Sequence, residues 1–273
     1  MAKILVLYVF HIYNERVEHF LKNCIFYNEN VDFIIISNNK DNKIDISKDN
    51  VKILYRDNIG YDFGGWSDAL LQNTNGSSFY NQYDKFIFVN SSVIGPFLPS
   101  YFIGNWTDVY LNGLKNDIKL FGSTINTCRD PLNKSHVQSY IFSMDKITLE
   151  YLIKCEIFSI TNYAKTFNDA IWQKEVLMSR KILENGWNIG SLLMHYKDVD
   201  FRFKDKSPKD YNNNIRFLDD IMYQQFMNTL WNKYELVFIK GNRFDNRFNN
   251  RFNNRFNNRF NNRFNNRFNR IKI

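Results

Sequence analysis

The chain has 273 residues, of which 44% are hydrophobic, and this is enough for one sizeable domain with a buried core. The net charge is +8, and residues 241–273 alone carry nine Lys and Arg against one acid, so residues 1–240 are neutral. The neutral body argues against a protein that binds nucleic acid over its whole surface. No segment reaches the roughly 18 consecutive apolar residues that a membrane span needs.

The cysteines give a first indication of the compartment. Cys24, Cys128 and Cys155 are scattered, odd in number and without the spacing of a metal site. Such cysteines are typical of free thiols in a reducing environment. We therefore expect a soluble, cytoplasmic protein.

The first third of the chain alternates between apolar runs of strand length and amphipathic segments. Strands are predicted at KILVLYVF, VDFIIISNN, VKILYRD and YDKFIFVNSS. Helices are predicted at NERVEHFLKNCIFY, with Asn14 as its N-cap, and at WSDALLQN. This alternation is typical of an α/β fold with a mainly parallel sheet.

The second part of the chain is less regular. Strands are predicted at IKLFGSTIN, SHVQSYIFSMDK and WNIGSLLMHY, and helices at ITLEYLIKCEIF, NDAIWQKEVLMSRKILENG and LDDIMYQQFMNTLWNKY. The helix NDAIWQKEVLMSRKILENG is strongly amphipathic. We expect Asn168 or Asp169 to cap its start and Gly186 to end it. His136 is expected in an exposed loop.

From Arg243 the sequence repeats Arg-Phe-Asn-Asn with a period of four residues. A four-residue repeat drifts about 40° per repeat around a helix, and Asn is a poor helix former. We therefore predict a folded domain at 1–240 and a disordered, low-complexity tail at 241–273. The alternating Arg and Phe are suited to RNA binding through phosphate contacts and base stacking. The alternative is a genomic repeat without a selected role.

Three polar loops follow predicted strands, at the strand ends where α/β sheets bind ligands. They are HIYNE, RDNIGYDFGGW and NSSVIGPF. The second lacks the G-x-G-x-x-G spacing of dinucleotide folds, and the chain has no Gly-Lys-Ser/Thr phosphate loop. Gly60 permits an unusual backbone angle, which lets Asn58 and Asp62 face a ligand. The alternative is a helix-capping turn, with Asp62 as the cap and Trp66 in the core.

Four segments resemble the motifs of rhamnan synthesis protein F and related glycosyltransferases, in order and spacing, over roughly residues 3–200. They are NIGYDFGGWSDAL, YDKFIFVNSSVIGPF, HVQSYIFSM and KEVLMSRKILENGWNIGSLL. The resemblance implies a GT-A-like (Rossmann-like) α/β fold, with a mostly parallel sheet flanked by helices. It also implies transfer of rhamnose or another hexose from a nucleotide-sugar donor to a saccharide acceptor, with inversion.

The resemblance also implies roles for individual residues. Donor binding is expected of Tyr8, Phe10, His11, Asn58, Gly60, Asp62, Asn90, Ser91 and Ser92. Gln138 and Ser139 are expected on the acceptor side. Glu175, in the pattern Glu-x-x-x-Ser-Arg…Gly, is the expected general base, and the alternative is a solvated glutamate on a helix face. Asp145 and Asp169 are weaker alternatives for the base.

The metal site is where the chain departs from the family pattern. GT-A enzymes usually hold Mn²⁺ or Mg²⁺ through an acidic pair after the fourth strand, whereas this chain has Asn90-Ser91-Ser92. Neutral oxygens are poor sole ligands for a hard divalent ion, so Asp62 and His195 are the ligands expected to help. The alternatives are donor binding without a metal, and a chain that binds the donor without catalysis.

Overall fold

A computed structural model of the chain describes residues 2–74, 76–127, 135–197, 199–203 and 232–241. The chain divides into two units, Met1–Ile239 and Lys240–Ile273. Only Lys240 and Gly241 of the second unit are described, so the predicted disorder of the tail and its predicted RNA binding lie outside the described residues. Most of the helix predicted at LDDIMYQQFMNTLWNKY also lies outside them.

The described residues form thirteen strands, several of them very short. In chain order they are β1 Ile4–Phe10, β2 Val31–Ser37, β3 Val51–Tyr55, β4 Asn73–Thr74, β5 Ser77–Ser78, β6 Lys85–Asn90, β7 Val93–Ile94, β8 Ile118–Gly122, β9 Ile125–Asn126, β10 His136–Val137, β11 Ile141–Asp145, β12 Asn188–Ser191 and β13 Ile239–Lys240. Seven of them form one sheet in the order β12-β8-β11-β6-β1-β2-β3.

Helices flank this sheet. They are α1 Glu15–Asn23, α2 Tyr61–Leu71, α3 Trp106–Leu111, α4 Lys146–Lys154, α5 Phe167–Asp169, α6 Leu177–Glu184 and α7 Lys233–Leu236. Between α5 and α6 the helix continues as a π-helix, Ala170–Val176, and there are 3-10 turns at Phe79–Gln82 and Met194–Tyr196. Among the described residues, every helix is too short or too polar to cross a membrane.

The sheet is mostly parallel, which confirms the predicted fold class. β1 pairs in parallel with β2 and with β6, β2 with β3, and β8 with β12, whereas β11 runs antiparallel to β6 and β8. The carboxyl ends of six strands therefore share one edge with the amino end of β11. The strand order reverses between β1 and β6, and such a reversal opens the crevice where α/β sheets bind ligands.

Aromatic side chains fill the core on both faces of the sheet. Trp66 of α2 is fully buried, and its ring meets those of Phe88 and Phe142 edge-on at centroid distances of 5.5 and 5.4 Å. On the other face Tyr8 of β1 stacks on Phe20 of α1 at 3.8 Å. Trp66 is thus a core residue, as the capping-turn alternative expected, but the cap it expected at Asp62 is wrong, because Asp62 lies inside α2 and Gly60 is the N-cap.

The helices predicted in the described part of the chain are present, but α1 ends at Asn23, earlier than predicted, and α2 begins at Tyr61, five residues before the predicted segment WSDALLQN. Asn14 caps α1, and Gly186 follows the end of α6 with φ +81°. The predicted cap at Asn168 or Asp169 is wrong, because Thr166 is the N-cap and Asp169 completes its capping box from inside the helix.

Two further predictions for the second half of the chain are wrong. His136 lies in β10 with 6% of its surface exposed, and not in an exposed loop. The strand predicted at WNIGSLLMHY is limited to β12, and the chain then turns into the 3-10 segment Met194–Tyr196.

Candidate functional site

The turn between β3 and α2 uses its three glycines to bring the helix close to the sheet. Gly60 has φ +76°, a backbone angle that favours glycine. A Cβ on Gly64 would lie 2.0 Å from the carbonyl oxygen of Ile59, and one on Gly65 would lie 2.8 Å from Cγ2 of Val9. A side chain at Gly65 would push α2 away from the ends of β1 and β2, and one at Gly64 would push it away from the preceding turn.

Asn38, directly after β2, connects this turn to the end of β1. Its buried side-chain amide donates to Oδ1 of Asn58 and to the carbonyl of Tyr61, each at 3.2 Å, and its Oδ1 accepts from Arg56 Nη1 at 2.7 Å. The exposed ring of His11 lies with Nδ1 2.9 Å from the Asn38 carbonyl. Asn58 and His11 therefore both contact Asn38, at the end of β2.

A partly buried ion pair between Arg56 and Asp68 holds the same turn in place. The Arg56 side chain, 8% exposed, donates from Nε to Asp68 at 2.6 Å and from Nη2 to the Ile59 carbonyl at 2.7 Å. Tyr163 donates to the other oxygen of Asp68 at 2.5 Å, and its ring lies against Gly60. Burial and the bond to Asp68 raise the pKa of Tyr163 to about 12, so it donates at neutral pH.

Asp62 meets the loop that follows β6. The side-chain amide of Asn90 donates to Asp62 Oδ2 at 3.0 Å, and Asn90 Oδ1 accepts from the backbone N and the hydroxyl of Ser92 at 3.0 and 2.5 Å. The carbonyl of Ser91 accepts from Nε of Arg16 at 3.2 Å. Two predicted donor-binding residues of this loop, Asn90 and Ser92, therefore share one hydrogen-bonded cluster with Asp62, and Ser91 is bonded to Arg16 instead.

Tyr8 and Phe10, which were expected to line the slot for the nucleotide base, are core residues. Their side chains are 0% and 1% exposed. Burial, reinforced by the nearby Cys24, raises the pKa of Tyr8 well above its usual range. Of the three base-slot candidates, only His11 has an exposed side chain that a ligand can reach.

Glu175 lies in the π-helix and is half-buried. Its Oε1 accepts from the backbone N of Ser139 at 2.8 Å, so it is not a fully solvated residue of a helix face. Single π-turns within α-helices are frequent at functional sites. Gln138, expected beside the acceptor, is 4% exposed and accepts from the Thr124 hydroxyl at 3.0 Å, so only Ser139 of the predicted acceptor pair lies near the surface.

A continuous set of bonds joins the donor side to Glu175. Asn90, bonded to Asp62, donates from its backbone N to the carbonyl of Tyr140 at 3.0 Å. Tyr140 follows Ser139, whose backbone N donates to Glu175. The structure thus brings Asp62 and Glu175, which are far apart in sequence, to the same edge of the sheet.

Asp145 lies at the opposite edge of the sheet, so its candidacy as the base is wrong. It ends β11 across from Lys85, at the amino end of β6. It caps α4 by accepting from the backbone N of Thr148 at 2.9 Å, and it forms an ion pair with Lys119 at 2.9 Å. Burial opposes ionisation of this carboxyl, but the bonds from Thr148 and Lys119 prevail and lower its pKa.

The described side chains do not form a metal site by themselves. Among them, no group of three His, Cys, Asp or Glu is placed to hold an ion. Asp62 is the one carboxylate of the cluster around Asn90, whose side-chain oxygen already accepts two bonds. His195 lies in the 3-10 turn after β12, and its side chain is outside the described part of the chain. These donors do not fit a divalent cation, which prefers several oxygen ligands.

Sequence reasoning missed the residues that support the site. Asn38, Arg56 and Asp68 hold the β3–α2 turn, and Arg16 reaches the loop after β6. The available signal was their position, because Asn38 and Arg56 are polar residues at the ends of the predicted strands VDFIIISNN and VKILYRD. A strand end alone does not show whether a polar residue faces a ligand or the neighbouring loop.

Known proteins resemble this chain at the level of a sequence family and of solved structures. No curated protein sequence gives a significant match. The crystal structure of the apo-form glycosyltransferase GlyE from Streptococcus pneumoniae TIGR4 is similar at a TM-score of 0.37 and 12% sequence identity, over 70% of this chain and 45% of the GlyE chain. This chain therefore spans less than half of GlyE. The sequence pattern of rhamnan synthesis protein F matches residues 33–221, more than half of the chain. The chain therefore belongs to the rhamnan synthesis protein F family.

Proposed function

We propose that the protein is a glycosyltransferase that moves a hexose such as rhamnose from a nucleotide-sugar donor to a saccharide acceptor, with inversion. The observation that carries this proposal is the set of bonds from Asp62 through Asn90 to Glu175 along one sheet edge. That edge is the ligand-binding edge of an α/β sheet. Membership of the rhamnan synthesis protein F family supports a role in glycan synthesis.

The donor occupies the crevice between the ends of β1 and β6. Asp62, Asn90 and Ser92 lie beside it, half-buried, and offer acceptor and donor groups for the hydroxyls of a sugar. Asn58 and His11 lie at the neighbouring strand ends and are exposed. Hydroxyl groups of a ligand are recognised by such fixed polar groups in a cleft.

Glu175 acts as the general base. In an inverting transfer, the oxygen of the acceptor hydroxyl bonds to the anomeric carbon while the bond from that carbon to the diphosphate breaks. The hydroxyl proton passes to the Glu175 carboxylate. Ser139 holds Oε1 of Glu175, and within the described part of the chain Oε2 has no hydrogen bond, which leaves it for this proton.

Incubation with a panel of nucleotide-sugars and simple saccharide acceptors tests the proposal. The release of nucleoside diphosphate and the appearance of a lengthened saccharide are expected, and both are measured with EDTA and with Mn²⁺. Absence of hydrolysis and transfer under both conditions would contradict the enzyme activity.

A second candidate is a protein that binds the donor without catalysis. It is favoured by Ser91 and Ser92, which stand where the family pattern expects an acid. Nucleotide binding that gains nothing from Mn²⁺, without turnover of any donor, distinguishes it from the transferase. The cytoplasmic location and the metal dependence remain predictions.

A further inference from the structure

We propose that Arg16 binds the diphosphate of the donor and neutralises the charge of the leaving group, a role that a divalent ion fills in many related enzymes. The proposal rests on the proposed function and adds to it a residue for the leaving group. Arg16 lies outside residues 33–221, the segment that matches the family. Its position in the fold therefore carries the argument.

Arg16 lies at the crevice where the strand order reverses. It belongs to the first turn of α1, which follows β1, and its Nε donates to the carbonyl of Ser91, which follows β6, at 3.2 Å. β1 and β6 are the neighbouring strands between which the order of the sheet reverses. The carboxyl-end crevice at such a reversal is where α/β folds bind phosphate-containing ligands.

The guanidinium has no carboxylate partner among the described residues. Its bond to Ser91 uses Nε, and neither terminal nitrogen makes a hydrogen bond or ion pair within the described ranges. A cation is also unfavourable in the first turn of a helix, where the helix dipole favours negative charge. Stability of α1 therefore does not explain an arginine at this position.

The hydroxyl of the core residue Tyr8 is a second polar group close to Arg16. The Tyr8 hydroxyl is buried without a hydrogen-bond partner in the described part of the chain. Burial is the main cause of its raised pKa, but the charges of Arg16 and Asp62 are near enough to act on it as well. A buried hydroxyl without a partner is rare in proteins, and a bound polar group often accounts for it.

The chemistry of the transfer fits these donors. When the bond between the anomeric carbon and the diphosphate oxygen breaks, the electron pair stays on that oxygen, and negative charge builds up on the diphosphate. A guanidinium stabilises such charge through two N–H donors in a fixed plane. With Arg16 in this role, the leaving group is stabilised although Ser91 and Ser92 stand in place of the expected acid. The step needs no further reactant.

Calorimetry with UDP, dTDP and GDP, in EDTA and low salt, tests the role of Arg16. We expect at least one of the three to bind the wild type without metal. Arg16→Gln should weaken that binding about 10–100-fold, as expected for the loss of charged hydrogen bonds, and Arg16→Lys should lie between the two. Arg180→Gln is the matched control, because Arg180 pairs with Glu184 on α6 and should leave the affinity unchanged.

The outcomes separate this inference from the proposed function. Equal affinity of the wild type and Arg16→Gln would overturn the inference, provided that thermal unfolding shows both to be folded. Binding and transfer that require Mn²⁺ would also overturn it but would leave the proposed transferase intact. Absence of nucleotide binding and of transfer, with and without Mn²⁺, would overturn both.

Discussion

The side-chain amide of Asn90 donates a hydrogen bond of 3.0 Å to the carboxylate of Asp62. This bond ties the first turn of α2 to the carboxyl end of β6. Asn90 is held in turn by Ser92, which donates to its side-chain oxygen from both the backbone and the hydroxyl. The orientation of the Asp62 carboxylate is thus fixed before any donor binds.

Two substitutions of Asp62 separate the effect of its negative charge from the effect of its hydrogen bond with Asn90. Asp62→Asn keeps an oxygen that can accept from Asn90, whereas Asp62→Ala removes both the charge and the acceptor. We expect Asp62→Ala to weaken nucleotide-sugar binding about 10–100-fold, as for the loss of a bond to a charged group, and Asp62→Asn to weaken it less. Calorimetry measures both, and wild-type affinity in Asp62→Ala would remove this residue from the donor site.

Gly64→Ala tests whether Gly64 is needed for the close packing of α2 against the preceding turn. Alanine favours a helix over glycine by about 1 kcal/mol, but its Cβ would lie 2.0 Å from the Ile59 carbonyl oxygen. We expect a net destabilisation of about 1–3 kcal/mol in chemical unfolding.

Gly186→Ala is the control for Gly64→Ala. Open space surrounds the Cβ position of Gly186, so the cost there comes from its φ of +81° alone. That cost should be about 1–2 kcal/mol, with donor binding unchanged. A Gly64→Ala variant as stable as the wild type would contradict the close approach of the first turn of α2 to the Ile59 carbonyl.

The strands of the sheet could be predicted from the sequence because they are continuous apolar runs, as in β1 and β2. The π-helix around Glu175 could not be predicted. A helix that is widened over so short a stretch has an apolar pattern that still fits an α-helix. The continuous apolar run of β1 is typical of a strand buried on both faces, and Tyr8 and Phe10 are buried accordingly. Their expected role in donor binding came from the family resemblance.

The supporting cluster of the site could not be predicted for a related reason. Arg56 and Asp68 are separated by the whole β3–α2 turn, and their ion pair depends on the angle at which α2 leaves the sheet. Asn38 comes from a different strand end. Spacing along the chain carries no information about such contacts between loops, whereas the resemblance to a family indicated Asp62 and Glu175 through their motifs.

The ion pair of Arg56 with Asp68 should stabilise the fold and position the donor turn. Arg56→Met leaves the Ile59 carbonyl and the Asn38 side chain without a buried donor. Because Asp68 retains 27% exposure, we expect a loss of about 2–3 kcal/mol, less than for a fully buried pair. A double-mutant cycle with Asp68→Asn in urea measures the coupling. Additive effects of the two substitutions would show that the pair does not act as a unit.

Asp145 should make stability depend on pH without affecting transfer. Its pKa is lowered in the folded state by Thr148 and Lys119, against the effect of burial. Its contribution is therefore complete above the ordinary value of about 3.9 and is lost as the pH falls through the lower folded pKa.

Asp145→Asn keeps a good capping side chain but cannot titrate. Urea unfolding between neutral and strongly acidic pH should show a weaker pH dependence below about pH 4 for this variant than for the wild type. Its transfer rate should equal that of the wild type, since Asp145 lies at the opposite edge of the sheet. A large loss of turnover in Asp145→Asn would contradict the placement of the site.

The turnover of Glu175→Gln tests the central claim most directly. Glutamine retains an oxygen that can accept from the Ser139 backbone but cannot take the proton of the acceptor hydroxyl. Glu184→Gln, on the same helix and in surface ion pairs, is the matched control. With the donor that the wild type uses, we predict a kcat about 10²–10⁴-fold lower for Glu175→Gln, with unchanged donor affinity and thermal stability. Wild-type turnover in Glu175→Gln would contradict the account.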